Sequence, residues 1–140
     1  MNRLLKTNLI GIDIGGTKCA VILGRTRNGD LEIVDKVKFP TTDVATTLEK
    51  ISETTETLMR RHELTPDNTA AIGISCGGPL DSRKGIIMSP PNLPGWDNIP
   101  IVGMLSERFG IPAAIQNDAN ACALAEWKYG AGRGLKNVVF

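Results

Sequence analysis

The amino-acid sequence predicts an α/β domain built on a mixed sheet, and three observations carry that expectation. Two apolar runs, Leu9–Ile14 and Cys19–Gly24, lie four residues apart. Strands that close pair antiparallel, because a parallel return needs a crossover of about a dozen residues. After Pro40 the hydrophobic period changes to that of a helix. Beyond it, the short apolar runs Ala70–Cys76 and Ile111–Ile115 alternate with helical stretches, the pattern of parallel strands joined by crossovers.

In chain order, Leu9–Ile14 is apolar at nearly every position, as a central strand covered on both faces should be. Cys19–Gly24 repeats the pattern. Arg27-Asn28-Gly29-Asp30 is a turn, and Leu31–Phe39 is a third strand whose charges Glu32, Asp35, Lys36 and Lys38 suit the edge of a sheet. From Thr42 to about His62, Val44, Leu48, Ile51, Leu58 and Met59 recur at helical spacing. His62, the single histidine, reads as solvated or as complementing the dipole at the helix end. Ala70–Cys76 is a buried strand running into Gly77-Gly78-Pro79. Leu80–Pro100 is an irregular segment rich in Pro, Gly and Asn, with a short apolar piece at Gly85–Met88. Asn98 and Pro100 announce a helix over Ile101–Arg108, stopped by Gly110. Ile111–Ile115 is the next strand. Gln116-Asn117-Asp118 follows, then a helix over Ala119–Tyr129, the loop Gly130–Gly134 and the start of a strand at Asn137–Phe140. Three antiparallel strands followed by right-handed crossovers make the ribonuclease-H-like topology.

The 140 residues make one domain with enough chain for a real core, and the formal net charge of +1 leaves no electrostatic footprint for nucleic acid or an acidic membrane. Cys19, Cys76 and Cys122 are widely spaced and odd in number, which points to reduced thiols in a cytoplasmic protein and to neither a disulfide frame nor a zinc site. No signal peptide or membrane span is expected, since the apolar run after Thr7 is short and interrupted by Asp13.

Three stretches invite chemistry. In Asp13-Ile14-Gly15-Gly16-Thr17-Lys18 an apolar strand ends on a carboxylate, two glycines, a hydroxyl and an ammonium. Adjacent glycines let backbone N–H groups approach a phosphate and permit the positive φ of a nest of donors. Asp13 could hold a metal or its waters. The stretch is not a P-loop, and it could equally be only a tight hairpin connection. Pro90-Pro91-Asn92-Leu93-Pro94-Gly95-Trp96 is stiff enough to present Asn92 at a fixed position, or to be a structural loop in which Trp96 caps the core. Asn117 and Asp118 fall where a strand meets a helix start. That placement suits an N-cap, yet the carboxyl end of a strand is also where open α/β sheets bind ligands.

Asp13-Ile14-Gly15-Gly16-Thr17-Lys18, Gly78-Pro79, Pro91-Asn92-Leu93 and Asn117-Asp118-Ala119-Asn120, in that order, resemble the ROK group of sugar kinases and regulators, within the actin, hexokinase and Hsp70 superfamily. The likeness covers essentially the whole chain and is greatest to bacterial glucokinases and N-acetylhexosamine kinases. It implies ATP-dependent phosphorylation of a hexose, with Asp118 as general base. Gly15, Gly16, Thr17 and Lys18 would lie on the phosphate side with Asp13 near magnesium, and Asn92, Asn117, Asp118 and the backbone at Gly78 would bind the sugar. It also implies that residues 1–140 are the amino-terminal lobe of a two-domain kinase, inactive alone, whose full-length form could be a homodimer. The alternative within the resemblance is the sugar-sensing domain of a transcriptional regulator. About a dozen residues precede Asp13, too few for a helix-turn-helix module ahead of it.

Overall fold

The computed structural model describes residues 8–27 and 30–117, with the backbone alone at Arg27 and Asn117. In chain order these form β1 (Asn8–Ile14), β2 (Lys18–Arg27), β3 (Asp30–Pro40), α1 (Val44–Arg61), β4 (Thr69–Cys76), β5 (Leu80–Asp81), β6 (Ile86–Ile87), α2 (Ile101–Phe109) and β7 (Ala113–Asn117). The expected helix at Ala119–Tyr129, the strand at Asn137–Phe140, Cys122 and Asp118 lie outside the described residues.

Five strands make the main sheet in the order β3-β2-β1-β4-β7. β1 pairs antiparallel with β2, and β2 with β3; β1 and β4 run parallel, as do β4 and β7. The three-residue connection after Ile14 therefore closes a hairpin, and the charged third strand lies at the edge, as its composition predicts. β5 and β6 form a small antiparallel pair inside the segment expected to be irregular, with β6 on its short apolar piece. An isolated bridge from Ile87 to Ile99 ties that pair to the approach to α2.

Side chains alternate along each strand, so one face of the sheet collects Ile10, Ile12 and Ile14 of β1, Cys19, Val21 and Leu23 of β2, and Ile72, Ile74 and Cys76 of β4. All nine are buried in one core with Ile51 and Leu58 of α1 and Ile101 and Leu105 of α2. The fully buried positions of α1 are Thr47, Ile51, Thr54, Thr55 and Leu58, whereas Val44, Leu48 and Met59 are only partly covered. The helix thus presents a stripe rotated toward its threonines. Two of their hydroxyls are satisfied locally: Thr55 donates to the Ile51 carbonyl at 2.8 Å, and Thr47 accepts the Thr42 N–H at 2.8 Å.

The ends of α1 follow from local chemistry. Asp43 caps it by accepting the Thr46 N–H at 3.0 Å, and that bond holds the Asp43 carboxyl below its ordinary pKa. At the other end His62 and Arg61 both donate to Asp35 Oδ2 of β3, each at 2.8 Å. His62 is therefore a structural partner of the edge strand instead of a solvated group. α2 starts at Pro100 without a side-chain cap, and Gly110 closes it in the left-handed conformation. β7 begins two residues later than the apolar run suggests and takes in Gln116 and Asn117; Ile111 is buried ahead of it, and Pro112 offers its carbonyl to the Ile72 N–H at 2.8 Å. No helix among the described residues is long and apolar enough to cross a membrane.

Candidate active site

β1, β4 and β7 end level with one another: Ile14 is in register with Cys76, and Cys76 with Asn117. The segments that follow them leave the sheet at one carboxyl edge, the place where open α/β sheets hold ligands.

The turn after β1 is tight for a specific reason. A Cβ on Gly15 would lie 2.8 Å from the Lys18 carbonyl oxygen, and one on Gly16 would lie 2.7 Å from the carbonyl oxygen of Asn92. Both positions are closed to side chains by backbone they approach. The positive φ expected of this pair is not present, because the left-handed glycines among the described residues are Gly85, Gly95 and Gly110. A hydrogen bond from the Gly15 N–H to the Lys18 carbonyl, 3.1 Å, keeps the turn within the course of the hairpin, so close approach and not handedness is what requires glycine.

The Pro90–Trp96 loop reaches this turn from the side. Leu93 and Trp96, each 1% exposed, are sunk in the core, and the loop folds on itself through Leu93 N–H to the Pro90 carbonyl, 3.0 Å, and Trp96 N–H to the Leu93 carbonyl, 3.2 Å. Two buried anchors thus hold Asn92 between two strand ends. Its side-chain nitrogen would be 3.2 Å from a Cβ on Gly16, and its Oδ1 3.8 Å from one on Gly77. Both readings of the loop hold together: Trp96 completes the core, and in doing so it fixes Asn92. Gly78, next to Gly77, is exposed and joined to Pro79 by a cis peptide bond.

Ile14 and Cys19 point into the core, so Asp13 and Lys18, each one residue away, lie on the opposite face, and both are exposed. The side chains of Asp13, Lys18 and Asn92 make no hydrogen bond or ion pair with another described residue. Ser75 is level with Asp13, and Gln116 with Ser75, so a row of three polar residues crosses β1, β4 and β7 on that face. Sequence reading passes over Ser75 and Gln116. The available signal is a polar residue one place before the end of an otherwise apolar strand.

The structure therefore brings Asp13, Gly15, Gly16, Thr17, Lys18, Gly78 and Asn92 to one edge, with the backbone of Asn117 level with them. Asp118 is the next residue in the chain and lies outside the described residues. No group of three or more His, Cys, Asp or Glu residues able to hold a metal occurs among the described residues. A single exposed carboxylate is nonetheless a donor that suits Mg²⁺, which keeps several waters and takes one or two carboxylates with phosphate oxygens. Asp13 fits that ion.

The ROK family model matches residues 9–140. Glucokinase of Streptomyces coelicolor is 34% identical over 130 residues, 93% of this chain and 38% of that protein. The crystal structure of a ROK family glucokinase from Streptomyces griseus in complex with glucose and AMPPNP superposes with a TM-score of 0.67 at 29% identity, covering 91% of this chain and 38% of that one. A ROK family transcriptional regulator homologous to the E. coli MLC protein shares the fold, with a TM-score of 0.70 at 20% identity over 93% of this chain and 32% of the regulator. The chain spans well under half the length of each. The topology is that of the actin, hexokinase and Hsp70 superfamily, and the chain belongs to the ROK family.

Proposed function

We propose that this chain is the sugar-binding and catalytic-base lobe of an ATP-dependent hexose kinase, with glucose or an N-acetylhexosamine as the acceptor and a second lobe completing the nucleotide site. The observation that carries the reading is the convergence at one sheet edge of the Gly15–Lys18 turn, Asn92 and the end of β7, with the polar side chains of Asp13, Lys18 and Asn92 unspent on described protein partners. Its similarity to a glucokinase supports the choice of chemistry.

Phosphoryl transfer asks little covalent help of a protein, so positioning and charge compensation do most of the catalysis. Asn92 and Asn117 suit a polyol, because an amide offers donor and acceptor together. The Asp118 carboxylate takes the proton of the acceptor hydroxyl as that oxygen bonds to the γ-phosphorus and the bond to the ADP oxygen breaks. The turn and the Lys18 ammonium face the phosphates. Asp13 would hold Mg²⁺ through water, and the bound ion would neutralise charge on the transferring phosphoryl group. The protein acts where ATP is made and reducing conditions prevail, the cytoplasm.

The test is sugar-dependent ADP release by the intact protein across a panel of hexoses, beside residues 1–140 alone and the D118N variant. Turnover by the intact protein is expected, with none from residues 1–140. D118N should lower the rate by about 10²–10⁴ while glucose still binds. An intact protein that releases no ADP with any hexose, or a D118N variant at full rate, would refute the kinase reading.

A further inference from the structure

Two glycines in succession create a difficulty for a phosphate turn. Close approach forbids a side chain at either Gly15 or Gly16. The peptide plane between them is consequently flanked by two residues without Cβ, and little steric resistance opposes its rotation. A donor that turns freely is a poor anion ligand, because its orientation must be fixed anew on each binding event.

One residue removes that freedom, and it comes from neither the turn nor its strands. Thr41 lies between β3 and α1, half-buried. Its hydroxyl donates to the Gly15 carbonyl at 2.7 Å, and its backbone N–H donates to the Thr17 carbonyl at 2.9 Å. Its Oγ1 is also 3.2 Å from the Cys19 sulfur, which is buried. The hydroxyl has one proton and spends it on Gly15, so the Cys19 thiol is the donor in that contact. Cys19, Thr41 and Gly15 form a directed chain of hydrogen bonds that begins in the core and ends on the turn.

The consequence lies on the other side of the peptide plane. The Gly15–Gly16 peptide is trans, so its C=O and N–H point in opposite directions. Holding the Gly15 carbonyl toward Thr41 sends the Gly16 N–H away from Thr41. The Gly16 N–H makes no hydrogen bond to a described residue. We infer that Thr41 is a positioning residue that pre-orients the Gly16 N–H as a phosphate donor, with Cys19 fixing the Thr41 hydroxyl in turn. The inference rests on the kinase reading for the identity of the anion.

The experiment is performed on the intact protein, with T41V, which keeps the shape and loses the hydroxyl, T41A, which loses both, and T41S, which keeps the hydroxyl. The readouts are Kd for a non-hydrolysable ATP analogue without sugar, KM for ATP, KM for the hexose, and thermal melting. T41V and T41A should weaken nucleotide binding and raise KM for ATP about five- to tenfold, the size of one lost hydrogen bond, with KM for the hexose within about twofold of wild type and T41S close to wild type. Unchanged nucleotide affinity in T41V, or equal losses for nucleotide and hexose, overturns the inference. So does a pair of valine and alanine variants that fail to fold beside a well-folded T41S, since the hydroxyl would then hold the domain and not aim the turn. Wild-type protein with neither nucleotide affinity nor turnover would instead sink the kinase reading itself.

Discussion

The two ends of α1 face opposite edges of the sheet, and their polar groups are treated in opposite ways. Near its amino end, at the carboxyl edge of β1, β4 and β7, the side chains of Asp13, Lys18 and Asn92 are exposed and make no bond to a described residue. Near its carboxyl end several charges have protein partners. Asp35 accepts from Arg61 and His62, and Glu56 pairs with Arg60 and Arg108, each at 3.3 Å. The backbone at the first edge excludes side chains: a Cβ on Gly16 would lie 2.7 Å from the Asn92 carbonyl oxygen. At one edge the polar side chains have no described partner, and at the other the ion pairs of Asp35 hold the edge hairpin to the helix. Surface pairs such as those of Glu56 contribute little individually, about 0–1 kcal/mol, so the far edge is a matter of alignment more than of stability.

Three substitutions would break or sharpen that contrast. The largest effect is expected from Trp96→Ala. Removing a fully buried indole should cost about 3–5 kcal/mol in denaturant unfolding, and because Trp96 anchors the loop that carries Asn92, the KM for sugar should rise in whatever protein remains folded. A variant that unfolds easily yet binds sugar normally would separate the loop's structural role from the site. Gly16→Ala comes next. Its Cβ would press on the Asn92 carbonyl, so the turn and the loop must part; sugar phosphorylation should fall by about a hundredfold with a melting temperature within a few degrees of wild type. Full activity in this variant would mean that the contact is incidental.

Asp35→Asn tests the far edge and should be the mildest. The hydrogen bond from His62, then that from Arg61, holds the Asp35 carboxyl at about 2 against an ordinary 3.8. A carboxyl lowered in the folded state binds its proton later than in the unfolded chain. Its contribution is therefore fully present above pH 3.8 and is lost as the pH falls through about 2. In acid titrations of unfolding, D35N should flatten the slope of stability against pH within that window and leave phosphorylation kinetics at neutral pH unchanged. A wild-type slope in D35N would show that the pair is decorative.

How far the site could be read in advance depends on whether its residues are neighbours in the chain. Asp13 to Lys18 was legible as a candidate because a strand ending on two glycines is a local pattern. Thr41 was not, since a threonine after a strand-ending proline has no local distinction, and its role exists only where the β2–β3 hairpin returns it to the first turn. Ser75 and Gln116 were hidden similarly: their row appears when register aligns three strands that are distant in sequence. His62 looked solvated or dipole-complementing from its place among charged neighbours at a helix end, and only the fold set it 2.8 Å from Asp35. The threonine stripe of α1 was missed because hydropathy counts a hydroxyl as polar even where the helix's own backbone satisfies it.

By itself, then, the sequence determined the order and kind of the described elements other than the small β5–β6 pair, the antiparallel start, the charged edge strand and the stretches that carry chemistry. Hydrophobic period, proline and glycine act over a few residues, and the four-residue gap between Ile14 and Cys19 permits one pairing only. Tertiary structure alone decided the reason for the glycines, which is the approach of Lys18 and Asn92 and not a left-handed turn, and the partner that holds the plane between them. Close contact between remote backbones has no signature in either segment, because what fixes it is the packing of β2, β3 and the Trp96 loop against one core.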